Sequence, residues 1–274
     1  MISPISGLNP SGGLPSESVQ FDFICRIVVA APCRFMNDYK KILATAALYA
    51  APISWKLGEE IAKNRGTAFF ISIGDAAFAV TAEHVYRAYM RMKEKGSNVR
   101  WKIGGLSFDP EERLIALDDW LDIAIFRMSA KEVEKTRCRI FLYNKSSWPP
   151  NSPETGSSVV FAGFPTMRAE QKNQQNLCSG VYAMMCRVTA ISERKISMQL
   201  DCGNIIDTSG LGFPLDCFEF RGLSGAPLIW VAESNNNFLF IPSGVVYTYN
   251  SGFRLMFAIR IDKILPDGHL CRLH

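Results

Sequence analysis

From residue 66 onward the chain is a succession of short β-prone runs separated by turn residues, and this pattern limits the fold more than any other feature. Residues 67–73 and 77–81 flank a Gly74-Asp75 pair, a hairpin signal. Further runs are read at 99–103, 121–128, 139–143 and 159–162, then at 181–190, 195–200, 226–231, 238–241, 244–249 and 254–259. Within one of them Ile196, Met198 and Leu200 alternate with Ser197, Gln199 and Asp201, as a strand with one buried face should. Many strands at roughly ten-residue spacing favour an all-β sandwich or pair of barrels over a parallel α/β sheet.

Helices are fewer. Asn37 is placed to cap one running to about Tyr49, and Ser54 to cap a helical turn over 55–63. Another is expected over 83–95, with Val85, Tyr89 and Met92 on one face. The Pro-, Ser- and Asn-rich residues 145–156 read as a linker. The expected organisation is a flexible tail (1–20), an extension of strand and helices (21–65), a first β unit (66–145) and a second (146–274).

Composition then narrows the function classes. At 48% hydrophobic and 20% charged residues, a 274-residue chain can bury a sizeable core. A net charge of +4 with no basic run argues against a nucleic-acid partner. No apolar stretch reaches the roughly 18–20 residues of a membrane span, and the N-terminus lacks the pattern of a secretory signal. A cytoplasmic location is therefore expected. The eight cysteines form no CxxC and no zinc-ribbon spacing, so reduced, buried thiols are expected, with no metal and no cofactor.

Three segments carry chemistry. His84 is the one histidine away from the last six residues, and it follows a β run and Thr81-Ala82-Glu83. Asp122 interrupts the apolar series Trp120-Leu121-Asp122-Ile123-Ala124-Ile125, where a carboxylate is costly unless a donor such as an imidazole N–H meets it. Ser224 lies in Gly222-Leu223-Ser224-Gly225-Ala226-Pro227, whose glycines permit a tight turn with a presented hydroxyl. Singly, each has an ordinary structural reading: a core histidine, a turn or cap aspartate, a plain turn. Their order puts a base and an orienting acid in the first β unit and a nucleophile in the second, across an inter-unit cleft.

On these three boxes the chain resembles the chymotrypsin-like serine proteases. Gly66-Thr67-Ala68-Phe69 and Ala162-Gly163-Phe164-Pro165 look most like the bacterial high-temperature-requirement-type members. The resemblance covers about residues 60–265. It implies two six-stranded Greek-key β-barrels with a site between them and a peptide or protein substrate. It also implies Ser224 as nucleophile, His84 as general base, Asp122 as its orienting acid, and the N–H groups of Gly222 and Ser224 as oxyanion hole. Asp118 and Asp119 are alternatives for the acid, though neither opens the apolar box. Phe218 is expected at the floor of the specificity pocket, which favours an apolar or small substrate side chain, and Val246, Tyr247 and Thr248 on the substrate-pairing strand.

Some positions depart from the family pattern. Leu223 replaces the aspartate that pairs with a new N-terminus in digestive members, Ala226 replaces a glycine, and Val85 stands where secreted relatives have a disulfide cysteine. No PDZ module is expected after about residue 265. The reading that competes with a protease is an inert binding or sensor module of the same fold.

Overall fold

The computed structural model describes residues 26–30, 36–57, 63–96, 99–165, 181–200, 205–207, 221–234 and 237–272. In chain order, the first half comprises β1 (Arg26–Ala30), α1 (Met36–Ala47), β2 (Ala51–Leu57), β3 (Lys63–Ile73), β4 (Ala76–Thr81), α2 (Glu83–Lys95), β5 (Val99–Ile103), β6 (Leu106–Ser107), α3 (Pro110–Arg113), β7 (Leu114–Asp118), β8 (Ile123–Met128), α4 (Ala130–Thr136) and β9 (Ile140–Tyr143). The second half comprises β10 (Ser158–Gly163), β11 (Tyr182–Ile191), β12 (Lys195–Gln199), β13 (Ile205–Asp207), β14 (Pro227–Ser234), β15 (Asn237–Asn250) and β16 (Leu255–Arg260). No helix among the described residues is long and apolar enough to cross a membrane.

The strands make two units. In the second, the order β10-β14-β15-β16-β12-β11 closes through β10–β11 pairing into a six-stranded barrel, with β1 and β13 added beyond β11. Register shifts at Val188/Ala190, Leu228/Ile229 and Val246/Thr248 bend its strands, as closure requires. The first unit has the order β6-β5-β2-β3-β4-β8-β7 with β9 on β3, and no pairing among the described residues closes it. It is a half-barrel beside a full one.

Three apolar clusters hold these layers. Phe70, Trp101, Tyr86 and Phe126 fill the first unit, and Phe161, Met198, Leu228 and Met256 fill the second. The third cluster lies between them, where Phe69, Ile71 and Val80 meet Leu43 of α1 and Val160, Ile229 and Ile259 of the barrel. Alternate residues of β3 therefore enter two different cores. This explains why 68–71 reads as an unbroken apolar run rather than an alternation.

Two sequence expectations change. Residues 55–57 form β2 and not a helical turn, because Ala51, Ile53 and Trp55 alternate inward and Trp55 lies opposite Trp101, the rings stacked 5.8 Å apart. The runs at 238–241 and 244–249 are one strand, β15; Pro242 is accommodated beside the bulge at Leu228/Ile229 instead of ending the run.

Candidate active site

His84 stands in the first turn of α2, directly after β4, where a helix leaves backbone N–H groups without intrahelical acceptors. Asp122 supplies one. Its Oδ1 accepts the His84 backbone N–H at 2.9 Å, and its two oxygens lie 3.0 and 2.7 Å from His84 Nδ1. One carboxylate thus caps the helix and fixes the ring. The positive end of the helix favours a negative charge at this place. Because an ionised carboxylate only accepts, Nδ1 carries a proton, and in the neutral ring Nε2 is then the acceptor.

Asp122 does not interrupt a strand, as the sequence suggested. It precedes β8 with φ of 51°, a left-handed conformation that Asp tolerates better than most residues. The alternatives for the acid are engaged elsewhere. Asp118 accepts the Leu121 N–H at 2.8 Å and pairs with Arg272, while Asp119 accepts from Arg272 at 3.2 Å.

Ser224 reaches the same place from the other unit. Gly222 and Gly225 on either side of it have φ of 90° and 86°. Thr67 of β3 fastens this turn: its N–H donates to the Ser224 carbonyl at 2.9 Å, and its hydroxyl donates to the Gly222 carbonyl at 2.8 Å. The same hydroxyl accepts the Phe164 N–H at 2.9 Å, and the Thr67 carbonyl accepts from Thr81 Oγ1 at 2.6 Å. The sequence gives Thr67 no separate signal, because its buried bridging role depends on contacts 97 to 157 residues away. Replacing it with the near-isosteric Val should leave buried backbone groups without partners, costing about 1–3 kcal/mol each. A lower midpoint in denaturant unfolding of Thr67→Val would register the loss.

His84, Asp122, Ser224, Val246, Tyr247 and Thr248 line one cleft of about 780 Å³, which Arg221 also borders. Val246 spends its backbone internally, its N–H on the Ala226 carbonyl at 2.9 Å and its carbonyl on the Gly225 N–H at 2.7 Å. Tyr247 sits at the β15 bulge, and its carbonyl accepts from Ser224 Oγ at 3.5 Å. The serine hydroxyl faces that carbonyl, and no hydrogen bond joins it to His84. Among the described residues the Gly222 and Ser224 N–H groups meet no acceptor. Phe218 lies outside the described residues.

Among the described residues no group of three or more His, Cys, Asp or Glu is arranged to hold a metal. Cys138 and Cys271 are free thiols, and burial pushes the Cys138 thiol up to about 11, away from nucleophilic use.

No protein-family profile and no curated protein matches the sequence. Among solved structures the chain is similar to a serine endoprotease from Yersinia pestis (16% identity, TM-score 0.45), with 80% of this chain and 62% of that one covered. It thus spans less than two thirds of that protein's chain. It is also similar to the MamO protease domain from Magnetospirillum magneticum (10% identity, TM-score 0.44, 78% and 92% covered). A Sesbania mosaic virus structure concerned with the coupled folding and binding of its intrinsically disordered VPg protein is similar to the same degree (15% identity, TM-score 0.44, 79% and 93% covered). The chain's own strand order, a closed six-stranded barrel beside a half-barrel with a small helical N-terminal part, has the all-β double-barrel architecture of the trypsin-like fold.

Proposed function

We propose that this protein is a serine endopeptidase acting through an acyl-enzyme. Ser224 Oγ attacks the scissile carbonyl carbon while His84 Nε2 takes its proton, and the carbonyl oxygen becomes an oxyanion facing the Gly222 and Ser224 N–H groups. Collapse of that intermediate breaks the C–N bond, and Nε2 returns the proton to the leaving amine. Water, deprotonated by the same nitrogen, then releases the acid and restores Ser224. Asp122 holds the tautomer and steadies the imidazolium. The observation that supports this most is the pair of contacts from the Asp122 carboxylate to His84, in the same cleft as Ser224. Tyr247 and Thr248 are the residues we assign to substrate contact along β15.

The inert-module reading draws on one observation, the serine hydroxyl turned to Tyr247 and not to His84. Catalytic hydrogen bonds are often loose before substrate binds, so this contact does not decide the matter. A serine-directed fluorophosphonate does. The wild-type chain should label, and Ser224→Ala should not label at all. Absence of labelling in the wild type would make the inert module the correct reading.

A further inference from the structure

The turn that presents Asp122 is held from outside its own unit. After β16 the chain does not stay on the barrel. Ile264 bridges to Leu270, the Cys271 N–H donates to the Lys263 carbonyl at 2.8 Å, and the segment lies on the first unit as a strap. Gly268 packs so closely on Phe78 of β4 that a Cβ there would lie 2.7 Å from the ring. The Trp148 indole N–H donates to the Ile264 carbonyl at 2.7 Å and pins the strap at its start.

The strap delivers Arg272 to the turn 118–122. Its guanidinium spans two carboxylates, Nε on Asp118 Oδ2 and a terminal nitrogen on Asp119 Oδ1. Asp118 is 5% exposed, and its other oxygen takes the Leu121 N–H, one residue before Asp122. Burial by itself would raise the Asp118 pKa, but the hydrogen bonds from Arg272 and from Leu121 outweigh it, and the carboxyl is held below its usual range. A second arginine grips the same turn: Arg194, between β11 and β12, donates to the Trp120 carbonyl at 3.1 Å and lies 4.8 Å over the Trp120 ring.

We propose that Arg272 is a positioning residue: through Asp118 it sets the turn whose left-handed final residue, Asp122, holds the imidazole of His84. A planar fork suits the task, because it fixes two carboxylates relative to one another where a point charge would not. The contact carries the second half of the chain into the geometry of a pair that lies wholly in the first. Its consequence for rate rests on the peptidase reading; its consequence for the His84–Asp122 bond does not.

The test uses Arg272→Ala, with His269→Ala as a control on the same strap. Three quantities are followed: the proton resonance of the His84 Nδ1–H (identified by its loss in His84→Ala), the fluorophosphonate labelling rate and the unfolding midpoint. Arg272→Ala is expected to weaken or abolish the resonance and to slow labelling by about 10- to 100-fold, the scale of a small misplacement of a reacting group. Arg272→Lys should recover part of both, and His269→Ala should keep both. An unchanged resonance and labelling rate in Arg272→Ala, whatever its midpoint, would overturn the proposal and leave the strap a purely structural element. If the wild type does not label, the resonance alone decides. Should the alanine variant not fold, Arg272→Gln is read by the same two outcomes.

Discussion

Asp122→Asn should slow acylation by about 10⁴-fold while the fold survives, the loss expected when the orienting acid of a triad holds the wrong tautomer. The two oxygens of Asp122 are not equivalent in this structure: only Oδ1 meets the helix cap, and although it also lies 3.0 Å from Nδ1, Oδ2 is the nearer to the ring. Oδ1 accepts the His84 backbone N–H at 2.9 Å, and Oδ2 faces Nδ1 at 2.7 Å. An asparagine that keeps its oxygen on the helix cap must turn its NH₂ toward Nδ1. That ring nitrogen then becomes the acceptor, the proton moves to Nε2, and the base is lost. The backbone should not object, since φ of 51° suits Asn as well as Asp. Labelling kinetics beside thermal unfolding separate the two effects. A loss below about tenfold, with the midpoint unchanged, would mean that Asp122 is a cap and nothing more.

The second large effect is on stability. Gly225→Ala should destabilise by on the order of 3–5 kcal/mol, combining left-handed strain with overpacking. At φ of 86° an added Cβ would sit 2.1 Å from the Thr67 carbonyl oxygen, 2.2 Å from Thr81 Oγ1 and 2.9 Å from the Ala82 nitrogen. Two of these three atoms are backbone, and those of Thr67 and Thr81 belong to the network that joins the serine turn to β3 and β4. Gly105→Ala is the control, because nothing lies within 4 Å of a Cβ there. Chemical denaturation of both variants tests the contrast; similar midpoints would show that the turn can be rebuilt around a side chain.

The two predictions concern residues whose sequence signals differed in strength. The glycines around Ser224 were legible because a tight turn needs φ values that few other residues adopt, and the positive φ at Gly222 and Gly225 fits that reading. The hairpin around Gly74-Asp75 and helix α2 were also legible, being local patterns of a few consecutive residues. Strand β2 was not. Its alternation is short, and a Ser before an aromatic residue reads equally as a helix cap until Trp101 is placed opposite Trp55. The sequence presents Asp122 as an acid inside a strand, whereas it ends a turn.

The sequence alone determined the character of the chain: strands closed by turn residues, a single interior histidine, and a serine between glycines. Those properties are local, set by backbone sterics and by periodicity over a handful of positions. Only the tertiary structure decided that one unit closes while the other stays open, that Thr67 ties the serine turn to β3, and that Arg272 reaches back to the turn before Asp122. The barrel closes through pairings such as Val159 with Trp230, and the other two contacts join residues more than a hundred positions apart. The free energy of such a contact comes from burial and hydrogen-bond geometry that no local window of sequence contains.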